Sequence, residues 1–260
     1  MALSPAEISE LREAKSVLEH PGLAAKVCDV IGSPIEAAMK RLPESWTATV
    51  NDVARKSIET ALDIALLTMD RAERVTPSNW WHKLAVAATG AGGGAFGLPA
   101  LAVELPVSTT IMLRSIADIA RSHGEDLNSP EARLQCVQVL ALGGRAKSDN
   151  GAETGYFAVR AALAKSISEA AAHVTKKGLS QKGAPAIVKL ITQIASRFSI
   201  VVSEKAAAQA VPVVGAFGGA AINTLFIDHF QDMGRGHFTV RRLERLHGQE
   251  EVRRVYDSFV

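Results

Sequence analysis

Val50-Asn51-Asp52-Val53-Ala54-Arg55-Lys56-Ser57-Ile58-Glu59-Thr60-Ala61-Leu62-Asp63-Ile64-Ala65-Leu66-Leu67 is the stretch on which the fold class turns. Val50, Val53, Ile58, Leu62, Ile64, Leu66 and Leu67 recur at helical spacing, while Asp52, Arg55, Lys56 and Glu59 take the other side. That is one apolar face and one solvated face of a long helix, predicted over about 44–74. The same texture continues outward in both directions. Towards the N-terminus, Ser4-Pro5-Ala6-Glu7 combines a cap, proline at the first helical position and a returning glutamate, and predicts a helix ending near Glu19, before His20-Pro21-Gly22. A short apolar helix is expected around 23–31 and another after Gly32-Ser33-Pro34. Towards the C-terminus, Ile111–Ile119 reads as a helix stopped at His123-Gly124, and Ser129-Pro130-Glu131 opens the next. Helices are further expected over about 153–177, over Ala186–Phe198 and over Glu250–Phe259, with a charged segment at Arg235–Arg245. No run alternates with period two, so the expected class is all-α, a multi-helix bundle.

Composition narrows the functional classes. Aromatic residues are only 5%, so Ala, Leu and Val supply the apolar surface and favour closely packed helices. A net charge of +2 without a basic stripe argues against nucleic acid as a partner. Cys28 and Cys136 lie far apart with no Cys-x-x-Cys, which excludes a disulfide framework or thiolate zinc site and reads as two buried free thiols. No basic n-region precedes an apolar stretch at the N-terminus, so a cytoplasmic protein, peripheral at the inner membrane, is expected.

Two runs stand apart. Leu84–Val103 holds 20 residues without a charge, including Gly90, Gly92, Gly93, Gly94 and Gly97; Ala206–Ile227 holds 22, including Gly215, Gly218 and Gly219. Gly93-Gly94-Ala95-Phe96-Gly97 and Gly215-Ala216-Phe217-Gly218 echo one another. Glycine inside a helix costs about 0.5–1 kcal/mol relative to alanine, so its abundance here needs a reason. Close packing is one: Gly90/Gly94, Gly93/Gly97 and Gly215/Gly219 are GxxxG pairs, and the two elements are expected to lie together as central Gly/Ala-rich helices, with Gly93 and Gly97 against Gly215 and Gly218, and with Phe217 in the packing face or facing lipid. A lipid environment is another, because both lengths match the roughly 20 residues of a membrane span. Trp80-Trp81 beside Lys83 suits a headgroup interface, and Arg235, Arg241, Arg242 and Arg245 suit an anionic one, although covered core edges and an ordinary solvated face account for them equally.

Glu104, His229, Asp232 and His237 form the candidate polar cluster. His229 and Asp232 are three apart on one helix face, and His237 follows on broadly the same side; with Glu104 they present His/His/carboxylate ligand types suited to zinc, manganese or iron. A hydrogen-bonded polar collar where two apolar helices emerge is the other reading. The glycine-rich runs lack the Lys-Ser/Thr of a phosphate loop, no Gly-x-Ser-x-Gly elbow exists, and no cofactor is implied.

Several stretches carry a resemblance. Leu98-Pro99-Ala100, Glu104-Leu105-Pro106-Val107-Ser108-Thr109-Thr110, Met112-Leu113-Arg114, Gly124-Glu125-Asp126-Leu127, Arg133-Leu134-Gln135-Cys136 and Ala141-Leu142-Gly143-Gly144 resemble the EcsC protein family, as do Ile222-Asn223, His229-Phe230, His237-Phe238 and Leu243-Glu244-Arg245. The resemblance covers about Lys83 to Tyr256, and divides the chain into an N-terminal helical lead (1–80) and an EcsC-like helical domain (81–260). It implies a bacterial, membrane-related accessory role beside an ABC transporter, and supplies no reaction or catalytic residue. The expected function is therefore lipid or membrane-surface binding in an envelope or transport process, with an anionic membrane and a transporter component as partners. A metal-dependent enzyme built on the polar cluster and a protein-interaction scaffold are the alternatives.

Overall fold

The computed structural model describes residues 2–19, 23, 26, 44–68, 98–144, 155–177, 184–209 and 218–259. Among them are eight α-helices and no strand, an all-α multi-helix fold. Helix α1 (Pro5–Glu19) begins as its sequence predicts: the Ser4 amide donates to Glu7 Oε2 (2.7 Å) and the Glu7 amide to Ser4 Oγ (3.3 Å), a reciprocal capping box. Helix α2 (Glu44–Thr68) buries Val50, Val53, Ala54, Ile58, Ala61, Leu62, Ala65 and Leu66, and exposes Asp52, Arg55, Lys56 and Glu59. Leu67, expected on the apolar side, is 54% exposed, because 100° per residue carries it beyond the stripe that ends at Leu66.

Helix α3 (Leu98–Ser122) departs from expectation at its start: it runs unbroken through Pro106, rather than beginning after it. An interior proline costs about 3 kcal/mol or more. Burial of Leu101, Leu105, Met112, Leu113, Ile116, Ala117 and Ala120 against α2 and the later helix α7 outweighs that cost. Gly124, at φ +78°, ends the segment in the left-handed region. Helix α4 (Pro130–Gln138) follows with Pro130 at its first position and passes into a 3₁₀ turn, Val139–Ala141. Every residue from Ala132 to Ala141 is buried, so this short element lies at the centre of the bundle. Arg133 is buried with it; its guanidinium donates to the Leu66 carbonyl (2.7 Å), satisfying a free carbonyl near the end of α2, and to the Asn128 carbonyl (3.0 Å).

Helices α5 (Tyr156–Lys177), α6 (Pro185–Gln209), α7 (Gly218–His247) and α8 (Gln249–Ser258) complete the described fold. Helix α6 continues past Phe198, since Val201, Val202, Ala206 and Ala208 remain buried. Helix α7 absorbs the predicted charged segment into one 30-residue helix that passes through Gly234 and Gly236. Gly236 is where α1 crosses: a Cβ there would lie 2.8 Å from Leu18 Cγ and 3.2 Å from the Ala14 carbonyl oxygen. Helix α2 packs on α3 and α6, α5 on α4 and α6, and α7 on α3 and α6, while α1 and α8 close over the far half of α7. A main core extends from Leu23 and α2 through to Phe238, and a second gathers Leu11, Tyr156, Val240, Leu243, Val252 and Tyr256.

Neither uncharged run is a helix of its own among the described residues. Residues 98–103 belong to α3, 206–209 to α6 and 218–227 to α7; the remainder, and with it the predicted contact of Gly93 and Gly97 with Gly215 and Gly218, lies outside the described residues, as does the 80/81 boundary.

Candidate functional site

The charges that bound the two uncharged runs meet in space. Glu104 follows Val103, and Lys205 precedes Ala206. Lys205 Nζ donates to Glu104 Oε1 (2.7 Å) and to Asn223 Oδ1 (2.7 Å), joining the start of α3, the end of α6 and the start of α7. The ammonium also stands 4.5 Å from the Phe226 ring centroid. Lys205 is fully buried, whereas the Glu104 side chain keeps 28% of its surface. Burial lowers the Lys205 pKa from its ordinary value, and the neighbouring Glu104 carboxylate offsets this only in part. The arrangement is a desolvated cation, held at one end of the bundle, whose counter-ion reaches water.

The other predicted cluster members go elsewhere, and the set Glu104, His229, Asp232 and His237 is not assembled. His229 Nε2 donates to the Gly143 carbonyl (3.3 Å), Asp232 pairs with Lys26 and Arg235 (both 2.7 Å), and His237 Nδ1 shares a 2.8 Å hydrogen bond with the Tyr156 hydroxyl. Among the described residues no three His, Cys, Asp or Glu side chains are placed to hold a metal ion. The reason is geometric: eight residues of helix separate the two histidines by about 12 Å along the axis. Both are buried and neutral. Burial, then the Lys26 charge, lowers His229 to about 4, and burial with Arg160 and Arg241 nearby holds His237 well below its ordinary value. His229 also dictates the glycine opposite it, since a Cβ on Gly143 would lie 2.4 Å from Nε2.

The EcsC protein family model matches residues 6–243. The chain belongs to the EcsC protein family. No curated protein and no solved structure matches it. The matched range takes in α1 and α2 as well as the helices after residue 81. In this EcsC-family fold the residues that carried the resemblance hold the bundle together. Arg133 caps α2, Gly144 brings its backbone against the Arg197 carbonyl of α6, where a Cβ would approach to 2.6 Å, and Glu104 secures Lys205.

The basic set of α7 is likewise paired. Arg235 pairs with Asp232, Arg241 forms a bidentate pair with Glu125 (2.8 and 3.1 Å), Arg242 pairs with Glu10, and Arg245 with Glu125 and the His123 carbonyl. Burial would raise the Glu125 carboxyl, but the Arg241 hydrogen bond and the charges of Arg241 and Arg245 hold it below the ordinary range. Each of these arginines thus has a carboxylate partner, while the Arg235 and Arg245 side chains remain 56% and 40% exposed. Trp80, Trp81, Gly93, Gly97, Gly215 and Phe217 lie outside the described residues, and Gly218 opens α7. Cys136 is a buried free thiol, pushed up to about 12 by burial. Among the described residues one helix, α6, is long and apolar enough to cross a membrane, and half of that stretch is buried in the bundle.

Sequence reasoning found Glu104 and missed Lys205 and Asn223. A signal was present: Lys205 and Glu104 are the charges immediately bordering the two uncharged runs.

Proposed function

We propose that this EcsC-family protein is a lipid- or membrane-surface-binding accessory protein of an envelope or transport process, acting from the end of the bundle where the two uncharged runs join it. The observation that carries this is the Glu104–Lys205–Asn223 contact, because it fastens the flanks of both runs at one place. Two glycine-rich stretches of 20 and 22 uncharged residues are thereby rooted side by side. Val103 at this root is 72% exposed, an apolar side chain facing water beside Glu104. The transport half of the reading, with a membrane transporter component as protein partner, rests on the family resemblance.

The paired arginines set the expected salt response. With Arg235, Arg241, Arg242 and Arg245 each paired to a carboxylate, apolar contact supplies the main drive to association and headgroup charge adds to it. Flotation of the full chain with phosphatidylcholine vesicles, with and without phosphatidylglycerol, tests this at low and high salt. The expected result is co-migration with both vesicle types, stronger with the anionic one and reduced there by salt. Protein left at the bottom of every gradient sinks the reading. Binding only to anionic vesicles at low salt would replace the apolar end with a charged surface.

A further inference from the structure

We propose that Lys205 is the headgroup anchor for a monoanionic amphiphile, and that Glu104 is the internal carboxylate such a ligand displaces. The inference rests on the lipid-binding reading and names the ligand class of the same site. Lys205 is wholly out of water, yet the carboxylate facing it is not. Exchange of Glu104 for a ligand anion keeps one negative charge against one ammonium, so no buried charge is left uncompensated. The displaced Glu104 has only to complete a hydration it already has in part.

The surroundings suit a headgroup followed by a hydrocarbon chain. Asn223 Oδ1 and the Phe226 ring hold the ammonium from two other directions, so its position survives the exchange. Val103, exposed, and Val107, half-buried, lie one turn apart on α3 next to Glu104, an apolar strip where an alkyl chain can lie. One ammonium balances one charge, which selects a carboxylate or a phosphodiester over a doubly charged phosphate monoester.

The test measures binding of oleate, lysophosphatidylglycerol and oleyl alcohol to the full chain by native mass spectrometry and calorimetry. Oleyl alcohol carries the same chain as oleate without the charge. The wild type is expected to bind at least one of the two anions about tenfold or more tightly than the alcohol, as a charge-assisted contact requires. Whichever anion shows the advantage identifies the headgroup as carboxylate or phosphodiester. Lys205→Met should erase the advantage and leave alcohol binding unchanged, and Glu104→Gln should strengthen anion binding by removing the internal competitor. If Glu104→Gln does not fold, the Lys205→Met comparison decides alone. Equal affinity of the wild type for anions and alcohol, or an anion advantage that persists in Lys205→Met, overturns the proposal. Should vesicles and oleyl alcohol still bind in that case, the lipid-binding reading stands and only the anchor falls. If nothing binds and flotation is also negative, both fall.

Discussion

The two halves of α7 solve the same packing problem with opposite chemistry. Its first half leaves the uncharged run through Asn223 and Phe226 and meets a single buried cation, Lys205, beside an aromatic cluster of Phe198, Phe226 and Phe230. Its second half is encased in charge: Arg241 on Glu125, Glu244 on Arg160, Arg242 on Glu10 and His247 on Glu7. Helices α1 and α8 complete that half, with Lys15 donating to the Tyr256 and Phe259 carbonyls at the end of α8 (3.1 and 2.7 Å). Charged pairs on that side tie α1, the turn after α3, α5 and α7 together. The other side holds the fully buried Lys205 ammonium in a contact whose carboxylate is already partly in water.

The sharpest way to break this contrast is to remove one partner on each side. Glu244→Ala strands Arg160, only 15% exposed, beneath Tyr156 and Phe157, and should lower stability by about 3–5 kcal/mol, read from the urea midpoint at constant m-value. Lys205→Met removes the buried charge itself and leaves Glu104, already 28% exposed, to complete its hydration, so it should lower the midpoint by less than Glu244→Ala does. Equal losses in the two variants would mean that the ends do not differ in this way.

Acidification probes α7 where its halves meet. The His229 pKa is lowered to about 4 in the fold against an ordinary 6.5, so the unfolded chain binds the extra proton between these values. Its contribution is complete above pH 6.5 and is lost as pH falls towards 4, at about 1 kcal/mol per pH unit. His237, also held well below its ordinary value, adds a slope of the same sign. His229→Asn should flatten the stability–pH curve in that window, and an unchanged slope would remove the assignment. Below it, Glu7, lowered to about 2 first by its hydrogen bond with His247, loses its contribution as pH falls from 4.5 towards 2.

Two glycines on α7 make a finer comparison. Gly236→Ala drives a methyl against Leu18 and the Ala14 carbonyl, and should cost about 1–3 kcal/mol. At Gly234 the nearest atom to an added Cβ is Ile116 Cγ1 at 3.5 Å, an ordinary contact, so Gly234→Ala should stabilise by about 0.5–1 kcal/mol through helix propensity. Thermal melts of both variants separate the glycine needed for close approach from the one that is not.

What the sequence determined by itself is local. The capping box at Ser4 and Glu7, the apolar stripe of α2, the stop at Gly124 and the proline start of α4 each depend on residues within about four positions, and each is found where the pattern puts it. The family, too, was legible in ordered short motifs. Tertiary structure alone decided the rest. It carried α3 through Pro106, because distant helices bury that face, and merged the charged segment into α7, because α1 approaches at Gly236. It also sent Glu104, His229, Asp232 and His237 each to different partners. Glu104 and Lys205 are 101 residues apart, and Arg242 and Glu10 are 232 apart. Helical periodicity states which face of an element is buried and is silent on what it is buried against, so which charges pair across the bundle is settled only by packing.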